Sequence, residues 1–320
     1  MLTSIFFSFQ LEAQRQSFLA PKIYYTSDIM AENPPVIDGV LNDSAWKSVD
    51  WGTDFIEVNP DENTDPSVQT KFKVLYDQKY LYVALKAFDP QPSTITSRLS
   101  RRDGFAGDRI NVLIDSYHDL RTAFLFTVTA AGVRGDEIIT DNGQSFDDSW
   151  NPIWYTNAKI DANGWTAEMK IPFSQLRFGN DTAQIWGFNV SRNIFRENER
   201  SLWQRIPNDQ AGFISESGEL HGLINLKSQK QLEIQPFTVL QYDKYQAEAG
   251  NPYKDGRDFK INGGLDAKIG ITNDLTLDLT VNPDFGQVEA DPAAINLDGF
   301  EIFNSISISI AIFIKNNTLH

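Results

Sequence analysis

The 320-residue sequence contains no cysteine. That excludes disulfides, thiolate nucleophiles, zinc–sulfur sites and iron–sulfur clusters together. Histidine is nearly as scarce: His118, His221 and His320 are scattered, too little material for a histidine zinc site or a serine triad. Basic residues are outnumbered, 28 against 43 acidic ones, for a formal net charge of −15. Such a chain repels phosphate backbones, so nucleic acid is a poor partner. The plainest role of the charge is solubility. No stretch is long and apolar enough for a spanning helix. Neither a phosphate-cradling glycine loop nor a nucleophile elbow is present.

What the sequence has is aromatics, 12% of residues, and short alternating segments. In Val68 to Tyr76, residues Val68, Thr70, Phe72, Val74 and Tyr76 share one face. Tyr80 to Phe88 follows the turn Asp77-Gln78-Lys79, which predicts an antiparallel hairpin. Ile110–Asp115 and Ala123–Thr129 read as two more strands. Gly164–Ile171 groups Trp165, Ala167, Met169 and Ile171, and Trp186, Phe188 and Val190 repeat the device. Helical turns are expected only at Asp43 to Val49, with Asp43 as N-cap, and at Pro172 to Leu176. The fold class is all-β, a jelly-roll-like antiparallel sandwich over residues 22–228.

The flanks differ in character. Leu2 to Phe9 is a short apolar run followed by Leu11-Glu12-Ala13-Gln14, which reads as the remnant of a secretory signal over residues 1–14; the alternative is a buried first strand. Over residues 229–303, Leu265, Ala267, Ile269 and Ile271 alternate with polar residues. After Thr272-Asn273-Asp274, Leu275, Leu277, Leu279 and Val281 do the same. This dyad suits a transmembrane β-barrel hairpin or an amphipathic hairpin of a soluble sheet. Residues 304–320, an isoleucine–serine run with an asparagine-rich end, read as an aberrant low-complexity tail; the alternative is an exposed, aggregation-prone strand.

Pro35-Val36-Ile37-Asp38-Gly39 with Leu41-Asn42-Asp43-Ser44-Ala45-Trp46, and Gly164 through Phe173, resemble family 9 carbohydrate-binding modules. Arg101-Arg102-Asp103, Gly107-Asp108-Arg109, Asp115 with Asp119-Leu120-Arg121-Thr122, Gly132 through Asp136, and Trp186-Gly187-Phe188-Asn189 with Arg192 resemble one branch of that superfamily. In that branch the module precedes an uncharacterised outer-membrane-type β-barrel, and Asn282 through Pro292 resembles an early barrel segment. The resemblance implies an exported protein of the periplasm or outer membrane of a Gram-negative bacterium. It implies a non-catalytic sandwich that binds an oligo- or polysaccharide, and a barrel cut short, since family members continue past Phe303. Two alternatives stay open: a carbohydrate-active hydrolase, and a structural plug or assembly domain for the barrel.

Sugar recognition needs aromatic faces and a few orienting polar groups. Trp46, Trp165 and Trp186 read as core. Trp150, Trp154 and Trp203 lie in polar segments and are the candidate platforms, with Asn151 beside the first; rim packing is the rival role for each. Arg192, on the parity of Trp186 and Val190, is a candidate ligand clamp or an ion-pair partner of Glu168. Calcium suits hard oxygen ligands, and members of the superfamily bind it. Its candidate ligands are Asp136, Glu137, Asp141, Asp147 and Asp148, which lack EF-hand spacing; a solvated acidic loop is the other reading.

Overall fold

The computed structural model describes residues 19–29, 33–208, 212–227, 232–247, 256–270, 275–282 and 310–316. The chain divides into two units, Met1–Lys227 and Ser228–His320. The first holds β1 (Ile23–Tyr25), β2 (Ser27–Asp28), β3 (Ile56–Asn59), β4 (Thr70–Tyr76) and β5 (Tyr80–Phe88). It continues with β6 (Arg109–Asp115), β7 (Ala123–Thr129), β8 (Arg134–Thr140), β9 (Ser145–Asp147) and β10 (Tyr155–Asp161). β11 (Gly164–Pro172), β12 (Ala183–Ile194), β13 (Glu199–Leu202) and β14 (Gly218–Ile224) complete it. Helix among the described residues is limited to short 3-10 turns, including Ser44–Ser48 and Phe173–Gln175.

Two sheets result. The larger runs β1-β14-β12-β6-β7-β8-β9, with β13 joining β12 to β3; the smaller runs β10-β11-β5-β4-β2. Alternation decides their facing sides. Phe72, Val74, Val83, Leu85, Trp165 and Met169 from the smaller sheet meet Val112, Phe126, Trp186, Phe188 and Val190 from the larger. Each such side chain contributes about 1.5–3 kcal/mol on burial. The expected hairpin of β4 and β5 is present in antiparallel register. Two edge pairs, β1 with β14 and β2 with β4, are parallel, against the all-antiparallel expectation. One segment, Ile23–Asp28, edges both sheets in turn, so its single direction governs both pairings.

The smaller sheet is covered on its outer side. Trp46 and Val49 pack on Leu75, Tyr82 and Ala84. The cover is pinned by Glu168 on β11, whose carboxylate accepts the indole N–H of Trp46 at 3.0 Å and the backbone N–H groups of Asp38 and Gly39 at 3.1 and 3.0 Å. Asp43 precedes the turn as expected but makes no side-chain cap; it accepts the N–H of Val36 instead. The outer side of the larger sheet carries a cleft of about 580 Å³.

The second unit contains β15 (Leu232–Lys244), β16 (Arg257–Gly270), β17 (Leu275–Val281) and β18 (Ile310–Asn316), paired antiparallel in that order. Register aligns Leu232, Ile269 and Leu277, then Ile234, Ala267 and Leu279, while Glu233 and Lys268 fall on the opposite parity. Leu232, Ile234, Leu240, Tyr242, Phe259 and Ile261 are exposed. Among the described residues the sheet is open, with no closed barrel. Part of the run read as an aberrant tail is a strand: Ile310, Ile312 and Ile314 register with Val281, Leu279 and Leu277. The signal remnant, the turn Thr272-Asn273-Asp274, most of the Asn282–Pro292 motif and residues 304–309 lie outside the described residues.

Candidate functional site

The cleft floor is the outward parity of the larger sheet. Because inward positions on β6 and β12 are Ile110, Val112, Phe188 and Val190, the alternate positions must face out. Register then sets three cross-strand rows. Arg109, Asn193 and Arg200 stand side by side on β6, β12 and β13. The next row is Thr127, Asn111, Ser191 and Leu202, and the third Glu137, Leu125, Leu113 and Asn189. The second row is cross-linked: Thr127 donates to Asn111 Oδ1 at 2.9 Å, and Asn111 Nδ2 donates to Ser191 at 2.8 Å.

Three aromatic rings stand around this floor: Phe105, Phe146 and Phe213. Phe105 lies against Gly135, where an added Cβ would come within 2.1 Å of the ring. Phe213 sits over Gly143, which adopts φ +98° and has no room for a side chain. Asn142, at φ 56°, directs its side chain into the Phe213 loop. Phe146 is 53% exposed and faces Phe213 at 6.5 Å between centroids. The rim therefore presents aromatic faces above hydrogen-bonding groups.

The charged groups are unequal. The Arg109 guanidinium lies 5.3 Å from the Phe105 ring, and that of Arg200 lies 5.9 Å from Phe213. Burial lowers both arginines; Glu137 partly counters this at Arg109, while Arg109 lowers Arg200 further. Burial, then Asp148 and Asp103, push Glu137 up, with Arg109 opposing. Glu137 is the one carboxylate lining the cleft among the described residues.

The residues singled out from sequence are placed otherwise. Trp154 is fully buried, edge-on to Phe126, and donates its indole N–H to Asp136 at 2.9 Å. Trp203 is 4% exposed and packs edge-on against Phe72. Neither ring is an open platform, because each fills the space between the sheets. Trp150 is half-buried against Phe124 and Phe126, so it closes the core rather than the cleft. Asn151 is exposed and bonds Ser149 within its own turn. Arg192 is wholly buried, bonded to the Gln69 carbonyl and Thr70, and Glu168 lies on the other side of the smaller sheet; the clamp and the Glu168 pair are both replaced by a core role.

The five acids do not assemble either. Asp136 is spent on Arg102 at 2.6 Å and on Trp154. Glu137 lines the cleft, Asp141 pairs with Arg121 at 3.6 Å, Asp147 caps Ser149, and Asp148 is exposed and helps push Glu137 up. Among the described residues no group of three or more candidate ligands could hold a metal ion. A second hollow of about 660 Å³ between residues 22–27 and 47–54 contains Trp51, whose ring is covered by the ammonium of Lys71 at 4.3 Å.

The site residues missed from sequence are Phe105, Phe146, Phe213, Arg109, Asn111, Asn193 and Arg200. A signal existed for the floor: Arg109, Asn111 and Leu113 alternate with Ile110 and Val112, and Asn189, Ser191 and Asn193 alternate with Phe188 and Val190.

Residues 37–228 match the family model described as carbohydrate family 9 binding domain-like, and residues 228–305 match a domain of unknown function, DUF5916. A family 9 carbohydrate binding module from Caldicellulosiruptor kristjanssonii, solved with cellotriose and with glucose, is 21% identical. Those two matches cover 65% of this chain and 95% and 97% of theirs, each with a TM-score of 0.47. A Bacteroides uniformis protein, named for proposed carbohydrate binding, is 12% identical over 63% of this chain and 99% of its own, with a TM-score of 0.51. That last likeness is one of fold. No curated protein matches.

Proposed function

The chain belongs to the carbohydrate family 9 binding domain-like family, and on that premise we propose that its sandwich is a non-catalytic module that binds an oligo- or polysaccharide in the cleft of the larger sheet. The observation that carries this reading is the floor itself: Arg109, Asn193 and Asn111 are partly exposed between the rings of Phe105, Phe146 and Phe213, with Ser191 buried beneath and bonded to Asn111. Aromatic faces pack on sugar C–H groups while side-chain amides and hydroxyls orient the hydroxyls. Glycoside hydrolysis would need two carboxylates flanking the bond; among the described lining residues there is Glu137 alone, which favours binding over cleavage.

A thermal-shift screen of the full chain against a panel of neutral and acidic oligosaccharides, with and without calcium, tests the reading. A ligand at a hundred times its Kd adds about 2.7 kcal/mol to the native state. A shift with one glycan class is expected. A flat panel on a folded chain overturns the proposal and leaves the assembly-domain alternative.

We further propose that the Ser228–His320 unit supplies opening strands of an outer-membrane β-barrel in an exported bacterial protein. What supports this is the apolar face shared by β15, β16 and β17, with Tyr242 and Phe259 at one end. Four strands leave open edges that lipid cannot satisfy, so the expected result is carbonate-resistant association of this unit fused to the remaining strands of a longer relative, and release of that fusion into the soluble fraction overturns the reading.

A further inference from the structure

We propose that the cleft is built for an acidic saccharide, with a uronate carboxylate seated between Arg109 and Arg200 above Asn193. The inference rests on the reading of the cleft as a saccharide site and names the class of sugar it takes.

Arg109, Asn193 and Arg200 are direct cross-strand neighbours on three adjacent strands, all on the outward parity. With strands about 4.8 Å apart, the two arginine backbones are roughly 10 Å apart. Two long guanidinium side chains can therefore converge on one small group over the shorter Asn193.

The chain has 43 acidic residues and a net charge of −15, and several arginines elsewhere in the sandwich pair with carboxylates, while Arg134 and Arg192 bond backbone carbonyls instead. Arg102 pairs with Asp136, Arg196 with Asp89 and Arg205 with Glu62. Among the described residues Arg109 and Arg200 are in no salt bridge; each instead lies over a rim phenyl ring. Among the residues lining the cleft, two cations stand against one carboxylate, Glu137, with Asp148 and Asp103 acting on it from beyond the lining. Arg200 is lowered by burial and by Arg109, a repulsion that a bound anion would relieve.

Chemistry selects the anion. A carboxylate is planar and accepts two parallel N–H bonds from a guanidinium fork, stronger than bonds to neutral hydroxyls. A uronate carries that group on a ring whose C–H faces suit Phe146 and Phe213.

The test is calorimetric titration of the full chain with oligomers of galacturonate, glucuronate and mannuronate, each against its fully methyl-esterified form and against neutral cello- and xylo-oligomers. At least one acid should bind ten times more tightly than its ester. Arg109→Gln and Arg200→Gln, checked for folding by circular dichroism, should each reduce that preference below twofold, and Arg200→Lys should recover part of it. If every ester binds as well as its acid, the acidic-sugar proposal is overturned while the saccharide reading stands. Preference that survives both glutamine variants overturns the assignment to these arginines. Silence across acids, esters and neutral oligomers overturns both readings.

Discussion

The side-chain oxygen of Asn142 accepts the backbone N–H of Phe213 at 3.1 Å, and the same atom accepts those of Ile214 at 2.8 Å and Ser215 at 2.9 Å. One amide thus holds the loop that places a rim ring. Asn142 can do so because asparagine tolerates the left-handed backbone it adopts. Asn142→Ala leaves three N–H groups without that acceptor, and the expected cost is about 1–3 kcal/mol. Denaturant unfolding measures it, and amide exchange at residues 213–215 should accelerate. Unchanged exchange there would refute the role.

Trp154 is a structural tryptophan by the same logic. Trp154→Phe keeps most of the ring volume but removes the donor to buried Asp136, whose other oxygen already lacks a partner. A loss of about 1–3 kcal/mol in stability is expected. Saccharide affinity should stay within twofold. A large loss of affinity at full stability would restore Trp154 as a platform.

Phe146 makes the opposite case. Its ring is more than half exposed, so Phe146→Ala should move stability by no more than about 0.5 kcal/mol. Loss of a stacking face should cost roughly 1 kcal/mol of binding, about fivefold in Kd. Titration beside a melting curve separates the two. Full affinity in the variant would remove Phe146 from the rim's working set.

Acid titration gives a further expectation. Burial pushes Glu168 up to about 7, against the bonds from Trp46, Asp38 and Gly39, and pushes Asp115 up to about 6. Each folded pKa lies above its unfolded value, so the native state keeps a proton that the unfolded chain releases. Their contribution is full below about pH 4 and is lost as pH rises through about 6 and 7. Unfolding free energy should therefore fall between about pH 4 and about pH 7. Glu168→Gln should flatten that slope while lowering stability, since its amide nitrogen cannot accept the N–H groups it would face. An unchanged slope in Glu168→Gln would show that Glu168 does not titrate there.

The sandwich was legible because its strands are amphipathic: the parity of Phe72, Val74 and Tyr76, and of Trp165, Ala167 and Met169, is the parity of the core. The platforms were misplaced because a polar sequence neighbourhood is not an exposed one. Asp136 and Arg102 are polar, yet both are consumed in fixing Trp154 and the Pro152 carbonyl inside the fold. The cleft was only half legible. Its floor follows from alternation in β6 and β12, but Arg200 joins it through pairing of β13 with β12, and Phe213 through an asparagine 71 residues away in sequence. Neither relation has a local signature.

Floor and core occupy opposite sides of the same strands, whereas Phe105 and Phe213 stand on connecting loops. Mutation can thus act on the two separately. A one-residue insertion early in β12 would send Asn193 inward and expose Arg192, ending foldability and recognition together. Exchange of the loops bearing Phe105 or Phe213 would change the rim and leave every core register untouched. Descent with a fixed floor and a replaceable rim lets one scaffold drift among ligands without passing through an unfolded ancestor.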